Sequence, residues 1–306
     1  MLTIFDQLNM TIPFSNSRAV LVIAHPGHEL CVYGWLETVR PQVFVLTDGS
    51  GRAGTSRLDS TTKILSQTGA RRGSIYGRFT DLNIYEAILD GDFRLFERLV
   101  RELAEALVEA EVEYVAGDAI EGYNPVHDTC RLVINAAVEL AGRIGGRPII
   151  NREFLLYAGH NAHREAQSAD AILLTLDDEM LARKLEVARA YPELQAEVDA
   201  MLDRKILDGL RSFPELSEYF SNVVTSTLGE EAYRVECLRP ASCPAWSNGP
   251  PNEVPIYERY SELLVASGVY NRAIRYRDHI MPLAEAIRSF VGVKLCTAQD
   301  QVAGRP

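Results

Sequence analysis

Short apolar runs alternate with longer amphipathic stretches along most of the chain. The first run, Ala19 to Ala24, is unbroken and rich in β-branched residues, which is typical of a parallel strand buried on both faces. Gln42 to Thr47 repeats this pattern. Further strands are predicted near Ser74 to Tyr76, Glu113 to Ala116, Phe154 to Tyr157 and Ala171 to Leu174. Alternating strands and helices predict an α/β fold, with a mainly parallel sheet covered by helices on both faces.

The stretch from Asp92 to Ala110 gives the clearest helical signal, because large apolar residues recur in it at helical spacing. Asp81 is placed in a loop before it. Less regular stretches predict the remaining helices, which run from His28 to about Arg40, Ser56 to Gly69, Val126 to Arg143, Asp177 to Asp203 with a break at Tyr191-Pro192, and Asp278 to Phe290.

The composition changes near Arg239, where prolines from Pro240 to Pro255 cluster in an irregular stretch. We therefore predict one domain over residues 1–240 and a C-terminal extension over residues 241–306, which is Pro-rich and then helical. The extension is also rich in tyrosine and charge. That composition fits either a wall of a binding cleft or a contact between subunits, so an oligomer is possible and its size is not fixed.

Charge and cysteine content narrow the class of protein. The formal net charge is −11, from 42 acidic and 31 basic residues, which argues against nucleic acid or an anionic membrane as a partner. The five cysteines are scattered and form no C-x-x-C pair, so they predict reduced thiols. No apolar run reaches the roughly 20 residues that span a bilayer, and the N-terminus lacks a basic signal-peptide region. We expect a cytoplasmic protein.

Three of the six histidines lie at predicted strand ends. His25 and His28 follow the first strand directly, and His127 comes just after the strand that ends near Ala116. In open α/β sheets ligands bind beyond the carboxyl ends of the strands. Three neutral imidazoles and a water complete a tetrahedral zinc site of the catalytic kind. His160 and His163, near another possible strand end, are expected to be secondary or surface residues.

The motifs around these histidines resemble a known family. The patterns strand-A-H-P-x-x-E, strand-T-D-G and P-x-H at a helix start are similar to those of the PIG-L/LmbE-like zinc-dependent N-deacetylases, over roughly Arg18 to Pro240. The resemblance implies a Rossmann-like fold and a zinc ion, or another divalent metal. It also implies removal of an N-acyl group, usually acetyl, from an amino sugar.

The resemblance also assigns roles to single residues. His25 and His127 match metal ligands, Arg57 matches an arginine near the substrate, and Asp81 matches an aspartate that supports the site. Asp48, at the end of the adjacent strand, is placed with the substrate-binding residues, and the alternative is that it only orders its loop.

Three positions depart from the family pattern. Its first motif is H-P-D-D-E, whereas this chain has Gly27 in place of the general base and His28 in place of a carboxylate ligand. Imidazole is an equally good zinc donor, so His28 is predicted to bind the metal. Asn124 replaces a histidine of the second motif, and it is predicted to donate a hydrogen bond to an oxyanion.

A replacement for the missing base is not fixed by the sequence. Glu29, Asp48 and Asp128 are carboxylates that could relay a proton, and Glu29 and Asp128 are the catalytic candidates. However, both of these lie in the first turn of a helix, where acidic residues also stabilise the helix dipole. Restoring the base by Gly27→Asp is expected to raise activity, provided that the turn tolerates a side chain. The preferred function is zinc-dependent hydrolysis of an amide in an N-acyl amino sugar or a related small molecule. The alternative is a metal-binding protein of the same fold that has lost deacetylase activity or gained another reaction.

A glycine-rich loop gives a competing signal. Gly49 to Gly54 reads G-x-G-x-x-G between a strand and a helix, which is the setting of a dinucleotide fingerprint and would suggest an oxidoreductase. However, the loop follows the second predicted strand, and no acidic residue ends a clear strand about 20 residues later. A loop beside the histidine site is the preferred interpretation.

Overall fold

The computed structural model describes residues 18–51, 54–156, 170–202, 229–241 and 254–303. Its centre is one sheet of seven strands, in the order β3-β2-β1-β4-β5-β7-β6. The first five strands in that order are parallel, and β7 runs antiparallel to both of its neighbours. The strands are β1 Ala19–Ile23, β2 Gln42–Thr47, β3 Arg71–Phe79, β4 Tyr114–Asp118, β5 Ile150–Phe154, β6 Ile172–Thr175 and β7 Val235–Pro240. The predicted α/β fold class is confirmed.

The described residues form nine α-helices on the two faces of this sheet. They are α1 Tyr33–Val39, α2 Leu58–Thr68, α3 Asp81–Asp90, α4 Phe93–Glu109, α5 Pro125–Ile144, α6 Asp178–Arg189, α7 Gln195–Leu202, α8 Ile256–Ala266 and α9 Met281–Ala303. Short helical turns precede α1 (His28–Val32), α7 (Pro192–Leu194) and α9 (Tyr276–Ile280).

Several sequence predictions need correction. Asp81 does not lie in a loop but begins α3, whose first turn is capped by the Thr80 side chain. The sequence predicts a strand from Phe154 to Tyr157, whereas β5 covers Ile150–Phe154. Strand β7 was missed, because its side chains alternate between buried and partly buried and form no continuous apolar run. The predictions for the N-terminal 17 residues, His160, His163 and most of the proline cluster lie outside the described residues.

Strand β1 explains why its apolar run has no polar alternation. Its odd-numbered residues, such as Leu21, pack with α1 and α2 on one face, and its even-numbered residues, such as Val22, pack with α4 and α5 on the other. Every residue of the strand is buried. The apolar core therefore continues through the sheet on both sides of β1.

The described part of the predicted extension packs against the same core. Seven of its buried apolar residues belong to the cluster that includes Val22, and they are Tyr257, Ile274, Ile280, Leu283, Ala284, Ile287 and Val291. Residues 254–291 thus cover α4 and α5. The division at residue 240 stays a prediction.

A buried carboxylate on β7 joins that strand to α6 and α1. Lys184 Nζ of α6 lies 2.8 Å from Glu236 Oε1, and both side chains are nearly inaccessible to solvent. The same carboxylate accepts hydrogen bonds from the main-chain nitrogen atoms of Gly34 and Trp35, each at 2.8 Å. A carboxylate at this end of a helix satisfies amide groups that have no partner within the helix. This contact fixes the start of α1, a few residues beyond His28.

Strands β1 and β4 lie side by side where the chain direction across the sheet reverses. From β1 the chain moves outward through β2 and β3, and it then returns to β4 and continues through β5. Val22 and Gly117 are register partners, so the two strands end at the same edge. Such a switch point is where open α/β sheets bind ligands. No helix in the described part of the chain is long and apolar enough to cross a membrane.

Candidate metal centre

Three histidine rings meet at the ends of β1 and β4. The ring centres are 5.3 Å apart for His25 and His28, 4.9 Å for His25 and His127, and 4.5 Å for His28 and His127. His25 and His127 are buried, and the His28 side chain is 14% exposed. The structure therefore brings together all three histidines that the sequence selected.

Two local structures hold these rings in place. After β1, Gly27 adopts a φ of 105° and allows the chain to turn into the helical segment that starts at His28. After β4, the Asn124 side chain accepts a hydrogen bond from Val126 N at 2.8 Å and so caps α5, while Pro125 occupies the first helical position. His127 consequently lies in the first turn of α5 and faces the turn after β1.

Buried carboxylates bind two of the three imidazoles. His25 Nδ1 lies 2.9 Å from Asp81 Oδ1 and 2.7 Å from Thr47 Oγ1. His28 Nδ1 lies 2.9 Å from Asp118 Oδ2. An ionised carboxylate only accepts hydrogen bonds, so each Nδ1 carries a proton, and in the neutral form of the ring Nε2 keeps a free lone pair. These contacts set the form in which an imidazole binds a metal through Nε2.

The lowered pKa values of His25 and His127 favour their neutral rings. Burial lowers the pKa of His25 in spite of its bond to Asp81, and it lowers the pKa of His127 well below the usual value, with the neighbouring rings adding to the effect. Burial alone would raise the pKa of Asp81. However, hydrogen bonds from His25, Thr47 and the Gly51 amide favour its carboxylate and bring that pKa to about 2. At neutral pH the site thus combines the uncharged imidazoles of His25 and His127 with an ionised Asp81.

The composition and spacing of the cluster suit a metal ion. Three imidazoles on a tetrahedral zinc ion, with nitrogen atoms about 2 Å from the metal, would have ring centres roughly 5 Å apart. His25 Nε2 and His127 Nδ1 are also buried without a hydrogen-bond partner, which is unusual for buried polar atoms. As the rings stand, however, the described residues contain no group of three His, Cys, Asp or Glu side chains set to hold a metal. Zinc stays a prediction.

Both carboxylates proposed as a general base already bind the main chain. Glu29 is fully buried, and it accepts hydrogen bonds from Gly27 N at 2.7 Å and from Thr61 Oγ1 at 2.6 Å. Burial raises its pKa. Asp128 Oδ1 accepts from the main-chain nitrogen atoms of Glu121 and Gly122, both at 3.2 Å, and burial raises its pKa to about 7. Each carboxylate stabilises a turn beside the rings, and a catalytic role for either stays a prediction.

A side chain at position 27 would strain the turn. Its φ of 105° is one that residues with a Cβ atom rarely adopt. A Cβ built there would lie 2.4 Å from Leu194 Cδ1 and 3.8 Å from Tyr191 Cζ. The segment between α6 and α7 therefore fills the space where a side chain at position 27 would begin. The proviso attached to Gly27→Asp is not met.

Asp48 and Arg57, predicted to contact substrate, flank the glycine-rich loop. Asp48 Oδ1 accepts a hydrogen bond from Ser50 N at 3.0 Å, and the Asp48 carbonyl accepts one from Arg57 N at 2.8 Å. The Arg57 carbonyl in turn accepts from the Tyr191 hydroxyl at 3.2 Å. The geometry shows how Asp48 orders its loop, while substrate contacts by either residue stay predictions.

The Asn124 side chain retains a free donor group. Its Oδ1 accepts the capping bond and, at 3.4 Å, a bond from the hydroxyl of the partly buried Tyr85. Its Nδ2 makes no hydrogen bond within the described part of the chain. The role of Asn124 as a donor to an oxyanion stays a prediction.

Sequence reasoning missed Thr47, Tyr85 and Asp118 as parts of the site. Asp118 could have been recognised, because it ends a buried strand in the same way as Asp48. Its contact with His28 could not have been recognised, because 90 residues separate the two in the sequence.

Neither a family model nor a curated protein matches this chain. Among solved structures, it is similar to a deacetylase of the teicoplanin biosynthesis pathway, with 15% identity, a TM-score of 0.43, and coverage of 64% of this chain and 93% of the other. It is also similar to a zinc-inhibited form of teicoplanin deacetylase, with 13% identity, a TM-score of 0.44, and 72% and 97% coverage. A conserved protein from Thermus thermophilus gives 18% identity, a TM-score of 0.39, and 76% and 100% coverage. The family assignment stays a prediction from the sequence motifs.

Proposed function

We propose that this protein is a metal-dependent hydrolase that removes the acyl group from an N-acyl amino sugar or a related small amide. The observation that carries the proposal is the cluster of His25, His28 and His127 at the switch point of the sheet, with two rings bound through Nδ1 to buried carboxylates. Neutral imidazoles presented in this way are typical ligands of catalytic zinc.

In this proposal the three histidines hold one zinc ion, or another divalent metal. When bound, zinc polarises a carbonyl group and lowers the pKa of a water molecule. Asn124 Nδ2 donates a hydrogen bond to the oxygen that becomes negatively charged, a contribution that is worth most in a site from which water is excluded. Arg57 and Asp48 bind polar groups of the substrate.

The proton transfers in this proposal depend on carboxylates that also have a structural role. Glu29 and Asp128 are the proposed carboxylates, and each would act while it supports a turn. A well-positioned general base typically contributes about 10² to 10⁴-fold in rate. We therefore expect slow turnover of simple N-acetylglucosamine substrates.

A second candidate function is metal binding without deacetylation. The observation that favours it is Leu194, which occupies the space beside Gly27. The resembled family has its base at that position, so the chain would have kept the metal site and closed the position of the base.

Metal analysis and an activity panel separate these functions. We expect close to one zinc per purified chain, lost in most part from His28→Ala. The matched control is His279→Ala, a histidine in the turn before α9, which should retain its zinc. Release of acetate from any of a panel of N-acyl amino sugars, abolished by His25→Ala and by metal chelation, supports the hydrolase. Stoichiometric zinc without turnover on the whole panel supports the second candidate. Full zinc content in both His25→Ala and His127→Ala proteins would overturn the proposed centre.

A further inference from the structure

Asp118 is a buried carboxylate beside the histidine cluster, and it is not among the residues assigned to metal binding or to the reaction. It ends β4 and is completely inaccessible to solvent. Its Oδ2 accepts a hydrogen bond from Ala24 N at 2.7 Å and lies 2.9 Å from His28 Nδ1. Its Oδ1 is buried with no hydrogen-bond partner. A carboxylate left partly unsatisfied in the interior costs stability, so its retention calls for a function.

The surroundings of Asp118 hold its carboxylate in one place. Ala24 is the residue that joins β1 to the His25 turn, so its amide fixes Oδ2 from the neighbouring strand. From behind, the buried Arg131 guanidinium donates to the main-chain carbonyl of Asp118. Contacts with β1, β4 and α5, which are rigid elements, therefore hold the Asp118 side chain in place beside His28.

We propose that Asp118 is the positioning residue of His28, and that it fixes the ring orientation and the tautomer that a metal ligand needs. Its consequence for metal binding rests on the proposed function. Because Oδ2 only accepts hydrogen bonds, His28 must present Nδ1–H to it, and in the neutral ring Nε2 then keeps its lone pair. The negative charge also makes the imidazole a stronger electron donor. Asp81 acts on His25 in the same manner, so the two rings after β1 are each held by a carboxylate from a different element.

Two substitutions separate charge from geometry. In Asp118→Asn the Ala24 amide still requires an acceptor, so the new amide keeps its oxygen at that position, and the Nδ1–H bond survives without the charge. In Asp118→Ala both the charge and the acceptor are lost, and His28 can exchange between its two neutral tautomers. Glu236→Gln is the matched control, because Glu236 is also a buried carboxylate and binds main-chain amides of Gly34 and Trp35 but no imidazole.

The first measurement requires no metal. Nitrogen NMR of the metal-free protein reports which ring nitrogen of His28 is protonated. We expect Nδ1–H in the natural protein and in Asp118→Asn, and a shift toward Nε2–H in Asp118→Ala. An unchanged tautomer in Asp118→Ala would overturn the positioning role.

The second measurement is zinc affinity by competition with a chelator. Loss of a carboxylate that orients a ligand typically weakens metal binding about 10 to 100-fold, so we expect a loss in that range for Asp118→Ala and a smaller one for Asp118→Asn. Asp118→Ala should add nothing further in a His28→Ala background. An equal loss of zinc affinity in Glu236→Gln, or an independent effect of Asp118→Ala in the His28→Ala background, would show that charge or folding and not His28 explains the result. If the natural protein itself binds no zinc, the proposed function fails, while the tautomer measurement still decides the role of Asp118.

Discussion

A methyl group added at Gly27 should destabilise the protein by an amount that the geometry allows us to estimate. Holding a residue with a Cβ at an unfavourable positive φ costs about 1 to 3 kcal/mol. A Cβ 2.4 Å from Leu194 Cδ1 must also displace that side chain, and overpacking typically costs about 1 to 3 kcal/mol. Together these effects predict that Gly27→Ala lowers the free energy of unfolding by about 2 to 6 kcal/mol. The overpacking cost should lie at the low end of its range, because Leu194 Cδ1 is a methyl group at the end of a flexible side chain and can move.

Urea denaturation of a double-mutant cycle can separate the two contributions. Leu194→Ala removes the clashing methyl groups but leaves the positive φ. Gly27→Ala should therefore be less damaging in the Leu194→Ala background than in the natural protein, with a coupling energy of about 1 kcal/mol or more. A Gly27→Ala protein within about 0.5 kcal/mol of the natural one would show that the turn is not constrained as described.

The same argument reverses the expectation for activity. In Gly27→Asp the Cβ of the new side chain would contact Leu194 and Tyr191. The substitution would also strain the turn that carries His28. We expect reduced stability and no gain in deacetylation. A faster Gly27→Asp enzyme that is as stable as the natural protein would contradict this geometry.

The remaining predictions concern other parts of the molecule. Neither NAD nor NADP at millimolar concentration should raise the melting temperature, since a ligand at about 100 times its Kd would add about 2.7 kcal/mol, and a clear shift with either would favour the oxidoreductase interpretation of the glycine-rich loop. Lys184→Met should lower the free energy of unfolding by about 3 to 5 kcal/mol, because it leaves the Glu236 carboxylate buried without its cation; a loss below about 1 kcal/mol in urea titration would refute this. Burial raises the pKa of the Cys31 thiol to about 12, and the thiolate is the reactive form, so alkylation of Cys31 at about pH 8, followed by mass spectrometry, should be slow in the native protein and ordinary in urea. Fast native labelling would contradict that pKa shift.

The sequence predicted those features whose physical cause is local. The apolar run of β1 results from burial on two faces, and the helical periodicity of α4 results from burial on one face. The sequence predicted the ends of both elements to within one or two residues. The three histidines were selected because strand ends can be recognised in the sequence. Strand β7 was missed because its pattern depends on an antiparallel position near the sheet edge.

The contacts that orient the histidines could not be predicted in the same way. The contact of His25 with Asp81 depends on where α3 begins, and Asp81 was expected in a loop. The contact of His28 with Asp118 depends on the register of β1 and β4. Strand order and register are set by packing over the whole sheet, so no local pattern contains them.

The contacts of Glu236 have a consequence for the order of events during folding. Its two main-chain partners in α1 lie 202 and 201 residues earlier in the chain. Contacts between such distant segments require closure of a very long loop, and they form slowly for that reason. During synthesis the first strand and its histidine turn leave the ribosome long before residue 236 has been made. The amides at the start of α1 must then bind water until β7 is added to the sheet. We therefore expect the histidine turn to gain its final rigidity late, as one of the last parts of the sheet to be completed.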